Sequence, residues 1–349
     1  MPRRLIAACV GLLPLLSVDL RAACPELVGR LPGPIHAVAV LGDFAYLGTG
    51  TGLAVADVSR PSRPRIIAEL TLPYPVFSVA VAGRHSYAAG YGLRVIDVST
   101  PSAPVEVGFV ETPGSATGVA VEGDFAYVAD YSEGLRIIDV SEPSAPFEVG
   151  FVDTPGTAVD VAVSGGYAYV ADFDVGGLRV IDVSIPSAPI EVSYVETAGH
   201  AEAVDVSGDY AYVADWDGGL RVLDVSTPPA PIEVASVSFY ATEVAVSSGV
   251  AYVGEFDPAG QAGSLRVLDV ATPSAPVEVG RVDTRSFVNA VALSGRYANV
   301  ALGEGLRLID VATPSAPVGV GLLATQSAEG LAMSRGHAFV VNGGLHLID

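Results

Sequence analysis

The chain has 349 residues, half of them apolar and only 16% charged, with 39 Gly and 25 Pro. That apolar content excludes a disordered chain, and the length suits either two domains or one closed array of repeats. Every base is Arg, and 39 acids against 18 bases give a net charge of −21, which excludes the clustered positive field that nucleic-acid binding requires.

Residues 1–23 read as an export signal. Arg3 and Arg4 open it, Leu5 to Val18 form the apolar stretch, and Leu20-Arg21-Ala22-Ala23 the small-residue cleavage region. The apolar run is shorter than the roughly 20 residues of a membrane-spanning helix and contains Pro14, so no transmembrane helix is expected. Cys9 falls within the signal and Cys24 just after it, which excludes a disulfide framework. A cysteine at that place suits acylation, as in bacterial lipoproteins, whereas Asp19 and Arg21 suit simple secretion. Both readings put residues 24–349 outside the cytoplasm: secreted, periplasmic or at the cell surface.

From residue 24 onward one unit recurs. The string Gly92-Leu93-Arg94-Val95-Ile96-Asp97-Val98-Ser99-Thr100-Pro101-Ser102-Ala103-Pro104 returns with small changes, and its aspartate is found as Asp57, Asp97, Asp139, Asp182, Asp224, Asp269, Asp310 and Asp349. The spacing of about 41 residues is the length of a four-stranded propeller blade. In the third unit, strands are expected at Thr117 to Val121, Phe125 to Ala129, Leu135 to Val140 and Phe147 to Val152, and no run is long enough for a helix. Stretches such as Tyr167-Ala168-Tyr169-Val170-Ala171 are apolar or small on both faces, as in sheets stacked between two neighbours. Glu26 to Leu31 matches a fourth strand and Leu345 to Asp349 a third. The expected fold is therefore all-β, a single eight-bladed β-propeller over 24–349, its ring closed by an N-terminal strand that completes the last blade and removes the free edges.

The Leu-Arg-x-Ile-Asp-Val-Ser-x-Pro-Ser-x-Pro string at 93–104, 135–146 and 178–189 resembles the LVIVD-repeat family of exported bacterial and archaeal proteins, over essentially all of 26–349. The resemblance implies a β-propeller at or beyond the cell surface and carries over no catalytic residues. The first and last units depart from the pattern, with Ala54 and His346 where Arg stands, and the sixth has a longer insert around Asp257 to Ser264.

The aspartate ending each third strand occurs in every unit, so a turn role is favoured over a catalytic one. An Asp beside Ser or Thr before Pro accepts backbone N–H bonds. Arg94, Arg136, Arg179, Arg221, Arg266 and Arg307 hold one equivalent position in six successive units and read as structural pairing between blades rather than as ligand contacts.

What differs between units is more informative. At the turn joining second and third strands, four consecutive units place an acid before an aromatic: Asp130-Tyr131, Asp172-Phe173, Asp215-Trp216 and Glu255-Phe256. The others have Gly48-Thr49, Gly90-Tyr91, Leu302-Gly303 and Val341-Asn342 there. These turns share a face with the connections into each first strand, where Glu111, Asp153, Asp160, Glu196, Glu202 and Glu243 fall, so an acidic arc with interleaved aromatics is expected over units three to six. In one reading the aromatics pack between blades and the acids are solvated turn residues. In the other the arc binds a ligand, with carboxylates on sugar hydroxyls or basic groups and rings stacked on sugars or cations. Calcium is a further candidate, at Asp172, Asp174, Asp215 and Asp217, although neither run continues into a full alternating-acid loop with its terminal glutamate.

The five histidines, His36, His85, His200, His337 and His346, show no metal-ligand spacing. There is no phosphate loop with Lys, no metalloprotease motif and no Gly-x-Ser-x-Gly elbow. A non-catalytic interaction domain, binding protein or glycan partners at the cell surface, is the favoured function. The alternatives are a carboxylate-dependent hydrolase acting on extracellular polysaccharide or ester and a structural surface-layer component.

Overall fold

The computed structural model describes residues 34–174, 177–258, 262–324, 330–334, 337–341 and 345–348. Every regular element among them is a β-strand, and no helix there is long and apolar enough to cross a membrane. Seven four-stranded antiparallel sheets follow one another along the chain, each pairing its strands in sequence order. They are blade 1 (35–71), blade 2 (78–110), blade 3 (118–152), blade 4 (158–196), blade 5 (203–237), blade 6 (241–283) and blade 7 (288–324). Blade 3 shows how closely the repeat pattern translates into strands, which run Gly118–Glu122, Phe125–Ala129, Leu135–Asp139 and Phe147–Val152.

Second and third strands are buried on both faces because each blade is covered by two neighbours. Between blades 3 and 4, for example, Tyr127, Ala129, Leu135 and Ile137 pack against Ala158, Val161, Ala168, Val170 and Ile181. The fourth strands form the outer rim and are half exposed. The proline-rich loop after each third strand seats on the fourth strand of the blade before. The fit is close enough that a Cβ added to Gly108, Gly150 or Gly280 would stand 2.1, 2.2 and 2.2 Å from the carbonyl oxygens of Pro143, Pro186 and Pro314.

The ring closes after seven blades, not the eight that counting aspartates suggests. Ile35–Leu41 of blade 1 packs on Val288–Ser294 and Tyr297–Leu302 of blade 7. Ile35, Ala45, Leu47 and Ala54 share one core cluster with Ala301, Leu306 and Leu308, and Asn289 Nδ2 donates to the Ile35 carbonyl at 2.6 Å. Gly321 meets Pro61 here as Gly108 meets Pro143 elsewhere. The reason is that blade 1 brings four strands and a proline loop of its own, so it offers blade 7 the surface that every other blade offers its neighbour, and no place in the ring is left for a further unit. The eighth unit pairs Gly330–Ser334, His337–Val341 and Leu345–Ile348 into a separate three-stranded sheet. The expected closing strand at Glu26 to Leu31, the signal at 1–23 and Cys24 lie outside the described residues.

The first strands stand side by side around the axis. Their inner edges carry N–H groups with no strand to pair with, and side chains of the preceding blade accept several of them. Val119 N donates to Ser78 Oγ at 3.2 Å, Val204 N to Asp160 Oδ2 at 2.9 Å and Val246 N to Asp205 Oδ2 at 2.6 Å.

Candidate binding site

The four acids of the expected arc are buried inside the blades rather than solvated. Asp130, Asp172 and Asp215 are fully buried and Glu255 nearly so. Asp130, Asp172 and Asp215 stand at the ends of second strands and fasten the connections that enter their own blades, whereas Glu255 lies within the longer strand Val250–Asp257 rather than in the expected turn and holds side chains of the third and fourth strands. Asp130 accepts from Thr112 Oγ1 at 2.6 Å and from Gly114 N at 2.8 Å, and burial pushes its carboxyl up in spite of those bonds. Asp215 accepts from Thr197 Oγ1 at 2.5 Å, Gly199 N at 2.8 Å and Arg221 Nε at 3.2 Å. Asp172 takes Arg179 Nε at 2.5 Å and Gly156 N at 3.3 Å. Glu255 holds Ser264, Arg266 and Arg281, each at 2.6 Å. Burial raises the Glu255 carboxyl, but the Arg266 and Ser264 bonds outweigh it and leave the group below the usual glutamate range. A buried carboxylate is stable only when paired in this way.

The recurring arginines pair within their own blades, which corrects the expectation of pairing between blades. Five of the six reach a Glu on the adjoining fourth strand: Arg94 to Glu106 at 2.6 Å, Arg136 to Glu148 at 4.0 Å, Arg179 to Glu191 at 3.2 Å, Arg221 to Glu233 at 3.3 Å, and Arg266 to Glu278; the sixth, Arg307, instead donates to the Asp283 carbonyl of the preceding blade. Three of them also lie over a cross-strand ring, namely Arg94 on Phe109, Arg136 on Phe151 and Arg179 on Tyr194. The aspartates ending the third strands do fix turns. Asp97, Asp139 and Asp182 accept the N–H two residues on at 2.8 to 2.9 Å. The hydroxyl and amide of the following serine hold Asp97 and Asp182 below the usual carboxylate range.

With the acids inside, the aromatics form the outer surface of this face. Tyr131 and Trp216 sit at φ of +53° and +43°, a left-handed backbone that costs a non-glycine residue energy and is found preferentially at functional sites. Their backbones bridge to Ala158 and Ala241 at the start of the next blade. Tyr131 is 48% exposed. Trp216 anchors a cluster drawn from blades 5 to 7 and their connections: Phe256 stacks on it at 5.8 Å, and Tyr240 and Phe287 lie at 5.9 and 6.2 Å. Phe173 faces His200 at 4.9 Å, and Tyr74 faces Tyr91 at 4.6 Å.

The remaining acids divide between rim and axis. Arg136 holds Asp153 at 3.0 Å, and Glu111 and Glu196 are exposed. Asp160, Asp205 and Glu243 line the inner edges of consecutive first strands, ringed by protein but with some solvent access. Burial pushes all three up, with Asp205 reaching about 6 and Glu243 lying well above the ordinary value, and their mutual repulsion adds to the effect on Asp205 and Glu243. Of the calcium candidates, Asp172 and Asp215 are held by arginines, Asp174 accepts from Thr157 Oγ1, and Asp217 lies 3.6 Å from His200 Nδ1. Among the described residues no three His, Cys, Asp or Glu side chains converge as metal ligands.

The LVIVD repeat model matches seven times, at 32–71, 76–112, 113–154, 155–197, 198–238, 240–284 and 288–325, one match per blade. The chain belongs to the LVIVD repeat family. No curated protein matches its sequence. Among solved structures it is similar to the computationally designed Ika8 protein (14% identity, 90% of this chain and 94% of that one, TM-score 0.62). It is also similar to Sqt1 of Saccharomyces cerevisiae (8% identity, 89% and 94%, TM-score 0.63) and to a chain of the mitotic checkpoint complex (14% identity, 86% and 98%, TM-score 0.66). At these identities the likeness is one of fold alone.

For this LVIVD propeller, comparing only the second-to-third-strand turns picks out Trp216 and Phe256 but misses Tyr240 and Phe287. The signal lies one element away. The residues before the buried Ala158, Ala201, Ala241 and Val288, which open blades 4 to 7, are Thr157, His200, Tyr240 and Phe287, so the connections turn aromatic where the ring cluster forms.

Proposed function

We propose that this LVIVD propeller is a non-catalytic binding platform acting outside the cytoplasm, which engages protein or glycan partners through the face bearing Tyr131, Trp216, Tyr240, Phe256 and Phe287. The observation that carries this reading is the four-ring cluster around Trp216. Its rings come from a turn of blade 5, the end of the second strand of blade 6 and the connections into blades 6 and 7, with Tyr240 and Phe287 each more than one-third exposed. A rigid ring that presents aromatic faces on variable turns suits stacking on sugar rings or on the side chains of a partner. The buried acids beneath are occupied in holding arginines and connections, which favours binding over carboxylate chemistry.

Trp216 is the chain's only tryptophan, so its fluorescence reports on this face directly. Titrating the protein with soluble polysaccharide fragments and with arginine-rich and aromatic-rich peptides should give a saturable change for one class. Tyr240→Ala with Phe287→Ala should remove it while the melting temperature is kept. No saturable change with any probe, or a change that survives the double substitution, refutes the reading.

A further inference from the structure

Blade 7 breaks the arginine pattern in a specific way. In blades 2 to 6 the fourth-strand residue paired with the third-strand isoleucine or leucine is a glutamate: Glu106, Glu148, Glu191, Glu233 and Glu278. In blade 7 that register position, opposite Ile309, is Gly319. The carboxylate at or near the end of the second strand in blades 3 to 6 is replaced by Leu302, and the residue across from Arg307 is Leu322 rather than the aromatic of blades 2 to 4. Arg307 has therefore lost the fourth-strand glutamate, the second-strand acid and the cross-strand ring that its equivalents use, and of the acids near them it keeps only Glu304, at the place of Glu133 beside Arg136.

The guanidinium is still held in place. Its Nη1 donates to the Asp283 carbonyl at 2.6 Å, while its Nε and Nη2 point at the space that a side chain on residue 319 would fill, each 3.2 Å from a Cβ built there. Among the described residues that edge has no acceptor. It opens on a cleft of about 370 Å³ lined by Arg285, Glu304, Arg307, Gly319, Gly321 and Leu322, where two guanidinium groups face a single carboxylate. Arg285 is exposed and sits at φ +60°, with its amide donating to Asp283 Oδ1 at 2.7 Å. A planar Nε–Nη2 edge takes a carboxylate through two parallel hydrogen bonds.

We propose that this cleft is a binding site for a carboxylate-bearing ligand, gripped by the Nε–Nη2 edge of Arg307 with Arg285 at the rim, in the place that a glutamate occupies in the other blades. The site is separate from the aromatic cluster and does not depend on its role. The repeat itself supplies the template: in five blades the fourth-strand glutamate engages this guanidinium through Nη1, and the seventh, whose Nη1 is taken by the Asp283 carbonyl, turns its Nε–Nη2 edge to that position while omitting the anion.

The test is ¹⁹F NMR line broadening of trifluoroacetate by the full chain at constant ionic strength, with acetate and inorganic phosphate as competitors. Broadening is expected with the wild type and should be displaced by acetate. Arg307→Ala should weaken binding at least about tenfold, the effect of losing hydrogen bonds to a charged group. Gly319→Glu restores the residue found in blades 2 to 6, so it should abolish binding in a protein that melts no lower than the wild type. Competition by glucuronate against N-acetylglutamate then tells a sugar acid from an acidic side chain. Absence of broadening in the wild type, or equal broadening in Gly319→Glu, overturns the proposal. Displacement by phosphate at far lower concentration than acetate overturns the carboxylate assignment.

Discussion

Replacing Asp215 with alanine separates a structural acid from a ligand-binding one. The carboxylate has no solvent exposure and accepts from Thr197 Oγ1, Gly199 N and Arg221 Nε, so its removal leaves the Arg221 guanidinium, 13% exposed, without its inner partner. Breaking a buried ion pair from one side costs about 3–5 kcal/mol, and in a domain of this size each kcal/mol moves the melting temperature by about 2–4 °C. Asp215→Ala should therefore melt roughly 10 °C below the wild type. Arg221 keeps Glu233 at 3.3 Å, which argues for the lower half of the energy range. Thermal unfolding followed by circular dichroism measures the effect, with Asp217→Ala as the comparison because that side chain is half exposed and should change the melt little. If Asp215→Ala melts within a degree of the wild type, the acid does not fasten the connection and the burial argument fails.

Two further outcomes follow from the ring. A Cβ on Gly321 would stand 1.8 Å from the Pro61 carbonyl oxygen across the closing seam. Ala68, Ser193 and Ala235 occupy the same register in blades 1, 4 and 5, so the facing loop can stand back. Gly321→Ala should therefore cost about 2 kcal/mol rather than open the ring, and Gly50→Ala, with nothing near its Cβ, should be neutral; equal melts for the two would refute closure between blades 7 and 1. The second concerns pH. Asp160, Asp205 and Glu243 bind protons more tightly folded than unfolded, so the stability they add is complete below about pH 4 and is lost as pH rises through their folded values, which for Asp205 is about 6. Asp97, Asp182 and Asp310, held low, lose theirs as pH falls below 4. Melting should be highest near pH 4 to 5 and lower at 7.5, with a smaller difference in Asp205→Asn; a stability that rises steadily from pH 5 to 7.5 would contradict the assignment.

The blade is legible in the sequence because every unit repeats the same apolar runs, turn aspartate and proline loop. The blade number is not, because closure depends on which surfaces meet across the whole chain. The aspartate count treats Asp349 like the others, whereas the contact of Gly321 with Pro61 decides the ring. The acids before Tyr131, Phe173, Trp216 and Phe256 are legible as unusual, but their burial is not. Their partners lie on other elements: an arginine six or seven residues on for Asp130, Asp172 and Asp215, and a Thr-x-Gly connection 16 to 18 residues back for Asp130 and Asp215. The loss of glutamate at Gly319 is readable by aligning Val-Glu-Val in blades 2 and 6 with Val-Gly-Val in blade 7. It acquires meaning only once Arg307 is known to reach that position.

Because each of the seven blades contributes all four of its own strands, the circle is held by contacts between complete modules, with no strand shared across a joint. A gene that gains or loses one unit would then leave every hydrogen-bonded ladder in the protein intact, and only the angle between neighbouring blades would have to adjust. Such a lineage can change the circumference of its ring, and the number of turns it displays, by duplication alone.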